Sequence, residues 1–339
     1  MKPKALVDPH PRTLELLLAP EDLRRLKALV SMTVWEGSRM PAGMVEKVLP
    51  DAFVVIGQTD LPRGRLERAR NLRAIVNVEG NFQPNIDYDF CFERGIHVLG
   101  AGVAFGRAVA EMALGMALGL ARGIPAADRQ FRKGKEVYGR FSNQDSFLIS
   151  GSDVGFIGFG NLGRALIKLL EPFRCRVRVY DPWLADRWLA QFGVTPSSLD
   201  DVLAASRILF VLAGVTAENQ AMIGKRELDR MPKGACLVLV SRASLVDFDA
   251  LTAKVRQGDI CAALDVFPQE PVPRKHPLRG LDSVILSAHR AGSLSSSYRL
   301  MGEMLVDDLA QILRGLPPLR LQRAERETVA RMRSMPVKK

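Results

Sequence analysis

Three stretches of this chain run from apolar, strand-like sequence straight into a residue that can handle a proton or an anion. Leu237-Val238-Leu239-Val240 passes through Ser241 to Arg242. Ala262-Ala263-Leu264 ends on Asp265 and continues through Val266-Phe267-Pro268-Gln269 to Glu270, and Val284-Ile285-Leu286-Ser287-Ala288 ends on His289. Open α/β sheets bind ligands just outside the carboxyl ends of their strands, so chemistry is expected at these positions. An imidazole gives and takes protons near neutral pH, and a neighbouring carboxylate orients it and favours its protonated form. A guanidinium grips a carboxylate or carbonyl with a fork that lysine lacks. Taken singly, each has a blander reading: a strand-end histidine is usually a packed residue, and an arginine there can be a surface ion pair. Their shared placement carries the argument.

Upstream, Val154-Gly155-Phe156-Ile157-Gly158-Phe159-Gly160-Asn161-Leu162-Gly163 sets G-x-G-x-x-G between a strand and a helix continuing from Arg164 to Leu170. The glycine motif alone is weak. Here Val177-Arg178-Val179-Tyr180 supplies the next strand, and Asp181 stands at its end, eighteen residues past Gly163. That is the spacing at which a carboxylate reaches an adenosine ribose. Gly158 allows the tight turn, Gly160 lets backbone approach a pyrophosphate, Gly163 packs helix on strand, and the helix N-terminus offers N–H groups to phosphate. The Asp181 charge disfavours a 2′-phosphate and so selects NAD over NADP, although Lys168, Arg178 and Arg187 lie nearby in sequence.

With these motifs in order, the chain resembles the D-2-hydroxyacid dehydrogenase family. Its members carry an arginine in A-R-G-x-x-V-D, a glutamate in D-V-F-x-x-E-P and a histidine in P-H-x-x-G. Arg94-Gly95-Ile96-His97-Val98 and Ala108-Val109-Ala110-Glu111 fall in the family's order as well, so the resemblance covers roughly residues 50 to 315. It implies an NAD-dependent oxidoreductase interconverting a D-2-hydroxy acid and a 2-keto acid. Hydride transfer to a keto carbon leaves charge on oxygen, which needs a proton donor and a positive group. The resemblance gives these roles to His289, paired with Glu270, and to Arg242 as substrate anchor. Ser241 and Asp265 would bind cofactor, the latter facing the nicotinamide carboxamide. Formate dehydrogenases carry glutamine where Glu270 stands, so formate is disfavoured.

The resemblance also implies the architecture: α/β, two Rossmann-like domains, one flavodoxin-like and one NAD-binding, with doubly wound parallel sheets and a cleft between them. Residues 106–291 would form the NAD-binding domain, and 1–105 with 292–339 a discontinuous substrate-binding domain, commonly assembled as a homodimer. The substrate loop, G-x-G-x-D-N-I-D in the family, reads Gly80-Asn81-Phe82-Gln83-Pro84-Asn85-Ile86-Asp87 here. Gly80, Asn81 and Phe82 are assigned to substrate binding, with Phe82 replacing a glycine and Pro84 removing an N–H donor. Ala243, Ala288 and the segment Leu212 to Thr216 also depart from the pattern, all near the expected cofactor. A phosphoglycerate, hydroxypyruvate/glyoxylate or sugar-acid dehydrogenase fits equally, and an NAD-sensing corepressor-like protein is the alternative of another class. About twenty-five residues follow the last helix, too few for an added regulatory domain.

The elements that must position these residues begin, in the sequence, at Asp51. Ala52–Gly57, Ala74–Val78 and Ile96–Leu99 read as strands, Arg65–Leu72 as a short helix, and Arg107–Arg122 as a buried helix whose Gly115 and Gly119 admit a close neighbour. Residues 124–150 read as an irregular polar connector and Ser295–Arg314 as the final helix, stopped by Gly315 and Pro317. The 339 residues suit about two domains, and with 47% hydrophobic and 25% charged residues they can build full cores. The N-terminus lacks a signal-peptide h-region, and the longest apolar stretch, Met112–Ala121, is half a membrane span, so a soluble, cytoplasmic protein with no membrane partner is expected. The four cysteines form no C-x-x-C pair; neither disulfides nor a metal are expected. The net charge of +11 raises nucleic acid as a partner, but Arg320–Lys339 holds seven basic residues against two acidic ones. A solvated terminal arm therefore accounts for much of the excess, and nucleic acid is disfavoured.

Overall fold

The computed structural model of the chain describes residues 2–333, which divide into two compact units. The first comprises residues 2–105 and 293–333 and the second residues 106–292. Each is a mostly parallel sheet covered by helices.

In the first unit, strands β1 (Lys4–Asp8), β2 (Ser31–Val34), β3 (Ala52–Gly57), β4 (Ala74–Asn77) and β5 (His97–Gly100) run parallel in the order β2-β1-β3-β4-β5. This is the flavodoxin-like doubly wound order. The sequence reading began at Asp51 and missed β1, an inner strand whose Ala5, Leu6 and Val7 are fully buried. The helix Ser295–Leu313 returns to this sheet, setting Met301, Leu305, Val306 and Leu309 in its core. The expected helix at Arg65–Leu72 is one turn, Arg63–Leu66, whose carbonyls are taken by the tightening turns that follow.

The basic C-terminal segment is not a solvated arm as far as residue 333. Gln322–Arg323 pairs antiparallel with β5, and Leu321, Ala324 and Val329 are buried. The buried Asp308 carboxylate accepts the Leu319, Arg320 and Leu321 N–H groups at 2.7–3.2 Å, while Arg320 pairs with Glu303 and Asp307. A carboxylate fully paired with backbone donors is stable in the core, and it anchors the strand that follows. The rest of the predicted arm, residues 334–339, lies outside the described residues.

In the second unit, β6 (Asp153–Ile157), β7 (Arg176–Tyr180), β8 (Thr195–Pro196), β9 (Ile208–Val211), β10 (Ala235–Leu239), β11 (Ile260–Leu264) and β12 (Val284–Leu286) pair in parallel as β12-β11-β10-β9-β6-β7-β8. The order reverses between β6 and β9, the crevice where this fold binds dinucleotides. Residues 124–150 are not wholly irregular: Ile124–Arg132 is a helix with Pro125 in its first turn, a helix-starting signal. The helix Gly106–Ala121 packs its Val109, Ala113, Met116 and Ala117 face into the unit. With its preceding turn, segment Ala101–Ala121 is long and apolar enough to cross a membrane, longer than the apolar stretch Met112–Ala121, and about half of it is buried in the fold. Gly119 lies where a Cβ would stand 2.9 Å from Ile285 Cδ1, whereas Gly115 is exposed and admits no close neighbour.

Glycine is obligatory at Gly302 of the final helix, where a Cβ would fall 2.0 Å from the Leu17 carbonyl oxygen. Gly302→Ala is expected to cost about 2 kcal/mol or more of stability by overpacking, whereas Gly115→Ala should gain a few tenths to about 1 kcal/mol. Thermal denaturation of the two variants checks this; equal melting temperatures would remove the close-approach argument.

Candidate active site

The candidate residues of the second unit gather at the carboxyl edge of its sheet. Arg242 follows β10 in extended conformation (φ −143°, ψ 133°), is half-buried, and donates from Nη1 to the Ser241 carbonyl at 2.7 Å. Ser241 is buried and its hydroxyl donates to the Val211 carbonyl at 3.0 Å, tying the end of β10 to that of β9. Asp265 follows β11 and His289 follows β12.

The imidazole is oriented by two sets of contacts. Glu270 Oε2 stands 2.8 Å from His289 Nδ1, and Glu270 Oε1 accepts the Phe267 N–H at 2.9 Å, so the carboxylate is held at one end and holds the ring at the other. Both side chains are partly open to solvent, so the pair orients the ring more than it stabilises the fold. With the carboxylate at Nδ1, Nε2 is the ring nitrogen left for a ligand.

The second set was not foreseen. His289 has φ +49°, a left-handed conformation that costs about 1 kcal/mol or more in a residue with a Cβ. Asp265 holds it there: its carbonyl accepts the His289 N–H at 2.7 Å, and its buried carboxylate accepts the Arg290 and Ala291 N–H groups, each at 3.0 Å. Asp265 is thus the clamp of the histidine turn, whatever further lone pairs it offers a carboxamide. Only a strand-end aspartate one strand away hinted at this in the sequence.

At the glycine loop, Gly158 has φ +92°, and a Cβ there would meet the Ala213 backbone nitrogen at 2.6 Å. This close approach of two strand ends explains why only glycine fits. Gly160 caps the helix Asn161–Leu170, with no protein atom within 4 Å of where its Cβ would stand, so backbone there is open to a phosphate. A Cβ at Gly163 would stand 3.1 Å from the Gly158 carbonyl oxygen, Leu162 lies in the first helical turn, and the Asn161 side chain accepts from Arg164 Nη2 at 2.6 Å. Asp181 accepts the Phe159 N–H at 2.8 Å and the Trp183 N–H at 3.0 Å, joining the glycine loop to the end of β7 while keeping lone pairs for a ribose hydroxyl. These residues fit a dinucleotide.

The loop Gly80–Phe82 belongs to the first unit. The Phe82 ring is buried in its core, edge-on to Tyr88 and against Gly100, so its side chain is not available to a substrate. The loop can offer only backbone and the Asn81 side chain; Asn77 Nδ2 fixes it by donating to the Asn81 carbonyl at 2.9 Å. Beside Glu270 and His289, within the second unit, lies a cavity of about 600 Å³ with apolar walls from Phe267, Leu278 and Leu286, which the sequence reading did not anticipate.

Two doubly wound units, one with a dinucleotide loop and a histidine–carboxylate pair at its sheet edge, define a dinucleotide-binding α/β protein. The pattern of the D-isomer specific 2-hydroxyacid dehydrogenase NAD binding domain matches residues 114–291, and the chain belongs to that family. NAD is accordingly its cofactor. The chain is similar to a phosphoglycerate oxidoreductase of Rhizobium etli, with 45% identity and a TM-score of 0.88 over 97% of this chain and 100% of that one. It is 30% identical to the glyoxylate reductase of Korarchaeum cryptofilum over 87% of this chain and 91% of that protein. It is 32% identical to the D-3-phosphoglycerate dehydrogenase of Archaeoglobus fulgidus over 79% of its length. The chain spans about half the length of the archaeal phosphoglycerate dehydrogenases it matches.

Asp265→Ala leaves the Arg290 and Ala291 N–H groups without their carboxylate and is expected to cost about 2–4 kcal/mol. Hydrogen exchange at these two amides should accelerate while β9 and β10 stay protected; unchanged exchange at 290 and 291 would show that the turn stands without its clamp.

Proposed function

We propose that this chain is an NAD-dependent D-2-hydroxyacid dehydrogenase, acting on the CH–OH group of a small 2-hydroxy acid and reducing the matching 2-keto acid in reverse. The observation that carries the reading is the His289–Glu270 pair at 2.8 Å, held on the strand edge that also bears Arg242. NAD supplies the hydride acceptor when bound at the Gly158–Gly163 loop, with Asp181 toward its ribose and Ser241 and Asp265 toward its other end.

His289 Nε2 takes the hydroxyl proton as the carbon loses hydride, and returns it to the carbonyl oxygen in the reductive direction. Glu270 keeps the ring in place and stabilises the imidazolium that forms. Arg242 grips the substrate carboxylate with its forked donors. Residues 2–105 and 293–333 serve as the substrate-binding domain, and residues 106–292 as the NAD-binding domain.

The test is NADH and NADPH oxidation with a panel of glyoxylate, hydroxypyruvate and 3-phosphohydroxypyruvate. At least one acid should turn over, faster with NADH, and His289→Ala should lower kcat/KM by about a hundredfold to ten-thousandfold. No turnover on any acid with NADH binding intact would favour an NAD-sensing protein instead.

We also propose a cytoplasmic homodimer. Ile124, Phe131, Val137, Tyr138, Phe141 and Leu148 are large, apolar and exposed in one segment, and the apolar cavity beside His289 offers a second such surface. Light scattering should give twice the mass of one chain, and Phe131→Glu should shift the protein toward monomer; a monomeric parent at micromolar concentration would refute the assembly.

A further inference from the structure

Two of the four cysteines stand side by side on neighbouring strands. Cys236 is the second residue of β10 and Cys261 the second of β11, and they are direct register partners in the parallel ladder. Parallel partners share a face, and alternation puts both thiols opposite the core formed by Ala235, Leu237, Ile260 and Ala262. As direct register partners on one face, the two thiols are neighbours and each perturbs the other. Adjacent strands lie about 4.8 Å apart, inside the roughly 4.4–6.8 Å range of Cα separations that a disulfide bridges.

The two thiols are unequal. Cys236 is buried, and the neighbouring Cys261 thiol together with burial pushes its pKa up. Cys261 is only partly buried, and the neighbouring Cys236 thiol brings its pKa down. Burial opposes that fall, the Arg207 guanidinium adds to it, and Asp145 opposes it. Arg207 is fixed against the Phe147 ring at 4.3 Å and donates to the Lys233 carbonyl at 3.2 Å. The partly exposed thiol is thus the one a small oxidant reaches first, beside a second positioned to resolve what it forms. Cys175 is an internal contrast: it too is partly buried, but burial raises its pKa and its thiol donates to the Ile149 carbonyl at 3.3 Å.

We propose that Cys236 and Cys261 form a peroxide-responsive dithiol, a modification site that closes a reversible disulfide across β10 and β11. The Cys261 thiolate attacks one oxygen of hydrogen peroxide, breaking the O–O bond and leaving a sulfenic acid and hydroxide. The Cys236 sulfur then attacks the Cys261 sulfur and expels the sulfenic oxygen. The Cys236 proton and one from solvent complete two waters, so one peroxide is reduced and two thiols are oxidised. A small dithiol reverses the bond. The crosslink lies on the two strands whose far ends carry Arg242 and Asp265, six and four residues downstream.

The test uses the full chain. At pH 7, limiting N-ethylmaleimide should label Cys261 about tenfold or more faster than Cys175. After brief treatment with hydrogen peroxide, peptide mass mapping should show the Cys236 and Cys261 peptides joined with loss of two hydrogens, and dithiothreitol should restore both thiols. In Cys236→Ala the resolving thiol is gone, and a sulfenic acid trapped by dimedone should persist at Cys261. The proposal fails if Cys261 labels no faster than Cys175. It fails equally if oxidation of the parent chain runs to a sulfinic acid with Cys236 still a thiol, or if the disulfide formed involves Cys91 or Cys175. The parent-chain mapping decides the matter even should the variant not fold.

Discussion

The candidate site depends on one buried carboxylate accepting two backbone N–H groups. Asp265 takes the Arg290 and Ala291 amides while its own carbonyl takes that of His289. Together these bonds hold a residue bearing a side chain at φ +49°. Five residues on, the same loop delivers Glu270 to the other side of the imidazole. One strand end therefore sets both where the ring sits and which way its second nitrogen points, and neither bond achieves this alone. An imidazole held only by an exposed ion pair would sample many orientations; one held only by its backbone would spin about its side-chain torsions.

The rest of the second unit brings that strand end to its neighbours. Parallel pairing of β9 through β12 lines up Ser241, Asp265 and His289 along a single edge. Where the order reverses, Gly158 meets Ala213 so closely that no side chain could lie between them. This leaves the helix starting at Asn161 with its amide end at the crevice. The candidate catalytic and nucleotide groups thus come from separate strands of one sheet, the arrangement that makes such sites precise.

Much of this was legible because its signals are local. Strand, glycine loop, helix and acid between 154 and 181 follow one another within a single supersecondary unit, and apolar runs ending in Arg242, Asp265 and His289 mark strand ends directly. What escaped depends on partners distant in the chain. Asp308 sits in a helix, and nothing near it shows that it will hold the amides of 319–321. Phe82 occupies a loop position where a glycine was expected, and only the finished core shows its ring packed on Tyr88. The strand Lys4–Asp8 is a three-residue apolar run between charges, short enough to pass as loop until β2 and β3 flank it. His289 could not be assigned its backbone conformation either, since that is imposed by a residue twenty-four positions earlier.

The Asp308 clamp has an electrostatic consequence. A terminal polycation free to writhe would behave as a polyelectrolyte, condensing on any anionic polymer and shedding its counterions indiscriminately. Docked as it is through Arg323, with Arg320 neutralised by Glu303 and Asp307, the stretch instead adds fixed charges at defined points on a folded surface. The positive charge of residues 320–333 is thus fixed on the first unit, where it shapes the field that approaching small anions feel.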